Sequence, residues 1–170
     1  IPTKETDTID TKHPYAFTKF LGEESVIRYA HFFKMPNISC RFFNVYGPRL
    51  NTKGQYGAVF GNFLTQKKNK KPLSIVGNGK QTRDFIYVDD LTNAFLKLAK
   101  SKIKNEIYNL GSGKETSINQ IANLIGGSKI FISKRNEPNR SCANISKIKK
   151  DINWKPQISI NEGIKRLFKN

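Results

Sequence analysis

Short apolar segments alternate with amphipathic segments along the chain, and this alternation most constrains the fold. The apolar segments have the length of buried strands, whereas the amphipathic segments carry apolar residues at helical spacing. Strands that alternate with helices favour an α/β fold with a parallel sheet. The predicted strands are 38–45, 73–76, 85–88, 106–110 and 130–133, with a turn at 77–80 between the second and the third. The predicted helices are 14–33, 58–65, about 90–99, 118–125 and 161–168.

Several residues mark where these elements begin. Pro14 suits the first turn of a helix, and Ser117 is a typical N-cap residue. For Asp89 and Asp90 we favour cap and helix-dipole roles at the start of a helix over a catalytic role. The short sequence 111–113, Gly-Ser-Gly, could hold a phosphate, but we favour a turn that leads from a strand into the Ser117 helix.

Tyr15 and Lys19 lie four residues apart, which places a phenol and an ammonium on one face of the first helix. A nearby ammonium favours the phenolate form, so the tyrosine could accept a proton from a hydroxyl near neutral pH. The alternative is an ordinary surface pair, because about one such spacing is expected by chance in a chain this rich in lysine.

Four motifs in a fixed order are far more specific than that spacing. They are PYAFTK at 14–19, RFFNVYGPR at 41–49, RDFIYVDD at 83–90 and YNLGSG at 108–113. With them the chain resembles the extended short-chain dehydrogenase/reductase family, and within it the nucleotide-sugar epimerases and dehydratases of the UDP-glucose 4-epimerase type. The resemblance extends from about Pro14 to about Gly163.

This resemblance implies the carboxy-terminal part of a Rossmann-type parallel sheet together with a small α/β substrate-binding domain. Residues 1–46 would end an NAD-binding domain, and 47–170 would mainly bind a nucleotide sugar, with about 81–111 returning to pack on the first domain. The 170 residues contain no Gly-x-Gly-x-x-Gly or Gly-x-x-Gly-x-x-Gly turn to hold a dinucleotide phosphate. We therefore expect a fragment of a longer protein, inactive on its own.

The resemblance also implies the reactive residues. Tyr15 would remove the proton from a sugar hydroxyl while a hydride leaves the same carbon for NAD, and Lys19 would bind the nicotinamide ribose and keep Tyr15 reactive. Tyr15 and Lys19 are thus the predicted catalytic and cofactor-binding residues. A Ser or Thr that bonds the same sugar oxygen in the family is expected upstream of Ile1.

Two predicted substrate ligands lie in the central motifs. Arg83 suits a diphosphate, because a guanidinium makes two parallel charge-assisted hydrogen bonds; the alternative is an ion pair with Asp84. Asn44 could donate to the same diphosphate, or its amide could satisfy loop backbone. Arg49 follows Asn44 in the same motif. Whether it binds the diphosphate or has only a structural role in the loop stays open.

Four further residues are aligned with substrate contacts in the family. Arg135 and Glu137 match an Arg that binds phosphate and a carboxylate that binds the nucleotide ribose, with one residue fewer between them. Val59 and Phe60 fall in the segment 57–60, which lines the nucleotide base in related epimerases. Helix packing is the alternative for that segment.

The net charge of +17 suggests at first a polyanionic partner. The lysines are scattered, however, and the densest patch, at 67–71, ends a predicted helix, where the helix dipole favours cations. We expect no nucleic-acid partner, because none of the known recognition motifs occurs. Two distant cysteines without metal-type spacing predict reduced thiols, no metal and a cytoplasmic protein, and no apolar run reaches the ~20 residues of a membrane span.

The resulting prediction is an NAD-dependent nucleotide-sugar 4-epimerase that oxidises C4 of the sugar, with Tyr15 as base, and returns the hydride to the opposite face. A nucleotide-sugar 4,6-dehydratase begins with the same oxidation and is the alternative enzyme. A non-catalytic nucleotide-sugar-binding fragment and a basic nucleic-acid-binding module are alternatives of other classes. Dimers are common in the family, formed through the helix that carries the Tyr, and this implies a homodimer for the full-length protein.

Overall fold

Helices and strands alternate through the computed structural model, which describes residues 1–50, 59–134 and 137–169. This confirms the predicted α/β class. The elements in chain order are α1 (Pro14–Phe32), β1 (Ile38–Phe42), β2 (Asn44–Tyr46), α2 (Val59–Lys68), β3 (Leu73–Val76), β4 (Thr82–Tyr87), α3 (Val88–Lys100), β5 (Glu106–Leu110), β6 (Glu115–Ser117), α4 (Ile118–Ile125), β7 (Lys129–Ile132), α5 (Ser146–Ile152) and α6 (Ile160–Lys169).

The predicted strand 38–45 is divided into two strands that have different partners. β1 pairs in parallel with β5, and β2 pairs in parallel with β4. Phe43, between the two strands, still donates its N–H to the carbonyl of Leu110 over 3.0 Å. The chain therefore crosses from one sheet to the next at this residue, just before Asn44.

The two strands around the turn at 77–80 pair with other strands and not with each other. β3 pairs in parallel with β7, whereas β4 lies between β2 and the antiparallel β6. All four residues from Asp84 to Tyr87 are buried, which a central strand achieves and one half of an isolated hairpin does not. Gly77 and Gly79 adopt positive φ angles of 60° and 70° and turn the chain between the sheets.

The edge of β1 opposite β5 has no strand partner among the described residues. Phe42, the last residue of β1, is 52% exposed, and its ring lies 5.3 Å from that of Phe95 on α3, which is also exposed. One side of the sheet therefore presents unpaired backbone groups next to an aromatic surface.

Two hydrophobic clusters form the core. The first joins α2, α4 and α6 to β2, β3 and β4, and the second joins α3 and α5 to β1, β4 and β5. The buried members of the first are Tyr46, Phe60, Phe63, Leu73, Ile75, Phe85, Tyr87, Ile118, Ile121, Ala122, Ile125 and Ile164. Those of the second are Ile86, Ala94, Leu98, Tyr108, Leu110, Ile148 and Trp154. β4 contributes to both clusters, because neighbouring residues of a strand point to opposite faces.

The helix starts confirm one prediction and correct another. Ser117 caps α4 in a capping box with Gln120. The N-cap of α3 is Tyr87, without a side-chain cap, so neither Asp89 nor Asp90 is the cap. Both lie inside the first turn, where a carboxylate suits the helix dipole as predicted. The buried Asp90 instead accepts two 2.9 Å hydrogen bonds, from the backbone N–H groups of Gln157 and Ile158. None of the described helices is both long enough and apolar enough to cross a bilayer.

Asp84 is a fully buried carboxylate that joins three segments of the chain. It accepts hydrogen bonds from the backbone N–H of Ser112 at 2.6 Å, of Gly113 at 2.9 Å and of Ala143 at 3.0 Å, and a fourth from the Ser112 hydroxyl at 2.6 Å. A Cβ on Gly111 would lie 2.7 Å from a carboxylate oxygen of Asp84. The Gly-Ser-Gly sequence is therefore the predicted turn, and its N–H groups bind an internal carboxylate.

We expect Asp84→Asn to lower the free energy of unfolding by roughly 2–3 kcal/mol, because the new amide group turns N–H donors toward N–H donors and removes the charge. Urea denaturation of the purified protein measures the change. Asp10→Asn is the control, because the Asp10 carboxylate is largely exposed and bonds only its near neighbour Lys12 in the described structure. A change at Asp84 of less than about 0.5 kcal/mol would contradict this role.

Candidate active site

Tyr15 and Lys19 lie together in the first turns of α1, as their spacing predicts. Pro14 is the first residue of the helix, which begins after His13. The Lys19 ammonium nitrogen lies 5.4 Å from the centroid of the Tyr15 ring, within the range of a cation–π contact. Tyr15 is 69% exposed, so its hydroxyl is open to a ligand.

A cleft of about 950 Å³ opens beside this pair. Its walls are the amino-terminal segment, the first half of α1, and the segment of β1 and β2; they include Tyr15, Lys19, Glu23, Arg41 and Asn44. The structure thus brings three of the predicted site residues, Tyr15, Lys19 and Asn44, to one cavity.

Asn44 occupies the first position of β2, next to the central strand. Its side-chain amide donates to the backbone carbonyl of Asp84 over 3.2 Å. A bond to backbone is the predicted alternative to ligand binding for this residue. Its register partner on β4 is Phe85. Asn44 therefore lies two residues along from Arg83 on the neighbouring strand.

Arg83 pairs with Glu137 and not with Asp84, whose carboxylate is fully engaged elsewhere. One guanidinium nitrogen lies 2.7 Å from a Glu137 oxygen, and another donates to the Thr82 carbonyl over 2.8 Å. The Arg83 side chain is only 12% exposed. The alternative ion pair with Asp84 is thus wrong, and two predicted substrate ligands contact each other.

Glu137 also borders a smaller cavity of about 270 Å³, adjacent to the Arg83 pair. Gln81 also lines this cavity. Its amide donates to the Val76 carbonyl over 2.9 Å and to Glu137 over 3.4 Å. The other charged residues around this cavity are Lys80, Lys134 and Arg140. The positive potential of this wall suits an anionic group.

The remaining predicted contacts have different settings. Val59, at the start of α2, is half-buried, whereas Phe60 is buried and stacks on Tyr46 with ring centroids 4.4 Å apart. The Phe60 side chain thus has the packing role named as the alternative, and its contact with a nucleotide stays a prediction. Arg135 and residues 57 and 58 lie outside the described residues.

An ion pair that the sequence reasoning missed lies in the lining of the large cleft. Glu23 of α1 accepts two hydrogen bonds from the Arg41 guanidinium, at 2.6 and 2.8 Å, and these raise the pKa of Arg41. The signal was present in the sequence: Glu23 is a charged residue one turn beyond Lys19 on the inward-facing stripe of α1, and Arg41 lies within a strand that is otherwise largely apolar.

Cys40 lines the same cleft but is not available as a base or nucleophile at neutral pH. Its thiol is half-buried, and burial raises the pKa of Cys40 to about 11. Neither Cys40 nor Cys142 takes part in a disulfide.

Comparison with known proteins matches residues 1–111 to a family profile described as the NAD dependent epimerase/dehydratase family. A relative named as a putative UDP-glucose 4-epimerase, from Methanocaldococcus jannaschii, is 37% identical over 174 aligned positions, which cover 98% of this chain and 56% of the relative. The chain therefore spans little more than half the length of a curated protein that it matches.

Two solved structures have nearly the same backbone over this chain. An epimerase from Methanothermobacter thermautotrophicus superimposes with a TM-score of 0.93 at 31% identity, over 99% of this chain and 53% of that protein. A UDP-glucose 4-epimerase from Thermotoga maritima, solved with UDP-glucose, gives a TM-score of 0.91 at 29% identity, over 99% of this chain and 56% of that protein. These matches confirm the predicted fold class.

We expect Cys40 to react with disulfide or alkylating reagents at pH 7.5 about 100-fold more slowly than a small free thiol, because only the thiolate is nucleophilic and a raised pKa leaves little of it. The rate should keep increasing with pH through 10, since the midpoint is about 11. Absorbance kinetics of a Cys142→Ser variant isolate Cys40. Rapid labelling at neutral pH would contradict the burial argument.

Proposed function

The chain belongs to the NAD-dependent epimerase/dehydratase family, and from this premise we propose that it is the carboxy-terminal part of a nucleotide-sugar 4-epimerase. The observation that carries the proposal is the Tyr15–Lys19 pair, which opens into the same cleft as Asn44. Such an enzyme needs a base at the sugar hydroxyl and polar ligands for the diphosphate, and this cleft offers candidates for both.

We propose that the cleft also binds the cofactor of the family. Tyr15 and Lys19 both expose polar atoms there, and an ammonium has three N–H donors that suit the hydroxyls of a ribose. Lys19 and Tyr15 would hold the nicotinamide end. Bound NAD would supply the acceptor for the hydride that leaves C4. The turn that would hold its diphosphate is not found in the 170 residues, and we propose that it lies elsewhere in the full-length protein.

The chain's own residues have three tasks in this proposal. Tyr15 removes the proton from the sugar 4-hydroxyl, and its phenol returns a proton once the 4-keto sugar has been reduced on the other face. Lys19 holds a positive charge beside Tyr15, with its ammonium nitrogen 5.4 Å from the centroid of the ring. No proton is consumed overall, because Tyr15 gives back in the second step the proton that it took in the first.

Substrate binding falls to the residues around β2 and β4. We propose that Arg83 and Asn44 bind the diphosphate, that Arg135 adds a second guanidinium, and that Glu137 accepts from the nucleotide ribose, with Val59 and Phe60 at the base. The bonds of Arg83 to Glu137 and Thr82 use two of the five N–H groups that a guanidinium carries. Arg83 can therefore bind a phosphate and remain paired with Glu137.

The domain assignment follows from the same proposal. Residues 1–46 would complete the NAD-binding domain and 47–170 would mainly bind the nucleotide sugar. The excursion at about 81–111 would return to the first domain; in support, it contains β5, which pairs with β1, and α3, whose buried residues share a cluster with β5.

We further propose a cytoplasmic homodimer formed through α1. This helix exposes a set of large apolar side chains, which suits a subunit interface: Phe17, Leu21, Val26, Tyr29 and Phe32.

Two cysteines without a disulfide agree with a reducing compartment. Nucleic acid is not among the proposed partners. Lys67, in the densest lysine patch, serves the fold, because it donates to the Ile125 carbonyl and contacts the Phe168 ring.

The first experiment is to assay the full-length protein with NAD and a panel of UDP, dTDP and GDP sugars. We expect interconversion of 4-epimers, and we expect Tyr15→Phe to lower kcat by about 10²–10⁴-fold, because the variant loses its general base. Tyr29→Phe, farther along the same helix, is the matched control. A stable 4-keto-6-deoxy product would identify a dehydratase, and nucleotide-sugar binding without turnover would identify a non-catalytic protein.

Arg83→Lys should weaken UDP binding by about 10-fold to 100-fold, because a lysine cannot reproduce the two parallel bonds of a guanidinium. Titration calorimetry with UDP measures the effect without turnover. Arg28→Lys is the control, since Arg28 forms only an exposed ion pair with Glu24 on α1 among the described contacts. Equal UDP affinity in the Arg83 variant and the control would remove Arg83 from the diphosphate site.

A further inference from the structure

The Glu23–Arg41 ion pair joins the helix that carries Tyr15 and Lys19 to the strand that leads to Asn44. The carboxylate and the guanidinium meet through two parallel bonds, Nε to one oxygen at 2.8 Å and Nη2 to the other at 2.6 Å. Only 10% of the Glu23 side chain and 24% of the Arg41 side chain are exposed. A two-pronged bond of this kind fixes orientation as well as distance.

Apolar packing holds α1 mainly at its far end. Ala30 is the one fully buried residue among those of the helix, and it lies fifteen positions beyond Tyr15, about 22 Å along the axis. Ala16, Phe20 and Ile27, on the same inward face, are only half-buried. Near the reactive end, Glu23 therefore supplies the directional contact.

Within the described part of the chain, the bonds from Arg41 to Glu23 are the side-chain hydrogen bonds that connect α1 to another element. The other described side-chain bonds of this helix stay inside it: Thr18 to the Tyr15 carbonyl, Ser25 to the Leu21 carbonyl, and Arg28 to Glu24. Rotation or sliding of α1 would shift Tyr15 and Lys19 together, and the pair with Arg41 opposes both movements.

Arg41 is itself fixed on three sides. It belongs to β1, three residues before Asn44, and its third nitrogen donates to the Glu5 carbonyl over 3.0 Å. The Glu5 carboxylate in turn accepts from the backbone N–H of Asn109 on β5 over 2.9 Å. Contacts with two strands and the amino-terminal segment thus fix the position of the guanidinium. Its bonds to Glu23 fix the helix relative to the same strands.

We propose that the Glu23–Arg41 pair is a positioning device that sets Tyr15 and Lys19 relative to the nucleotide sugar whose diphosphate Asn44 binds. The inference rests on the proposed function. Neither residue would touch the reacting atoms. A buried ion pair adds little net stability compared with apolar residues of similar size. The contribution of this pair is therefore the orientation that it gives to α1. A reactive group displaced by about 1 Å can cost 10²-fold in rate.

Arg41→Lys is the decisive variant in the full-length protein, because it keeps the positive charge and loses the two parallel bonds. We expect kcat for 4-epimerisation to fall about 10-fold to 100-fold, with the UDP dissociation constant from calorimetry within about twofold of wild type. The urea midpoint should change little, because no charge is left unpaired. Glu23→Gln should lower kcat to a similar degree and also lower the urea midpoint.

Glu24→Gln is the matched control, since Glu24 is the neighbouring carboxylate on α1 and pairs with Arg28 on the surface. It should leave kcat, UDP affinity and the urea midpoint unchanged. Normal kcat in both Arg41→Lys and Glu23→Gln would overturn the inference while leaving the proposed function intact, and so would a loss of kcat that only follows the urea midpoint. A wild-type protein without epimerase turnover would overturn both.

Discussion

The buried carboxylate of Asp84 is the constraint on which the rest of this structure depends. A charge in that setting is tolerated only when donors surround it, and the chain supplies four, from the turn after β5 and from Ala143. Its backbone carbonyl also accepts the Asn44 amide. One residue thus fixes the central strand, the Gly-Ser-Gly turn and the segment that returns after β7. Arg83, the residue before it, is largely buried, and its guanidinium is turned toward Glu137.

The division of one predicted strand into β1 and β2 gives the site its shape. Because β1 belongs to the sheet with β5 and β2 to the sheet with β4, the junction at Phe43 lies between the two hydrophobic clusters. Asn44 follows that junction directly, and the helix with Tyr15 faces the segment that precedes it. The cleft therefore extends beyond the carboxyl end of β1, and ligands of α/β proteins commonly bind outside the carboxyl ends of strands.

Local signals in the sequence were sufficient for most of the elements and for the reactive pair. Pro14, the helical spacing of Tyr15 and Lys19, and the Ser117 capping box depend on residues within one or two turns, so they could be predicted. Strand pairing could not, because the partners of β3 and β4 depend on distant burial and not on the turn between them. The same limit explains the wrong cap at Asp89 and Asp90, since Asp90 serves backbone groups almost seventy residues away. The Arg83–Glu137 and Glu23–Arg41 pairs likewise join residues that only the fold brings together.

One edge of β1 has no strand partner in the described part of the chain, and this has a consequence for handling the chain in isolation. Backbone N–H and C=O groups beside the exposed Phe42 and Phe95 form a template on which a second chain can add a strand. The net charge of +17 opposes that encounter through mutual repulsion. Repulsion between surface charges weakens as the Debye length shrinks from about 30 Å at 0.01 M salt to about 3 Å at 1 M. Colloidal stability of the isolated chain is therefore electrostatic, so dilute buffers keep it dispersed and added salt drives it toward edge-to-edge association.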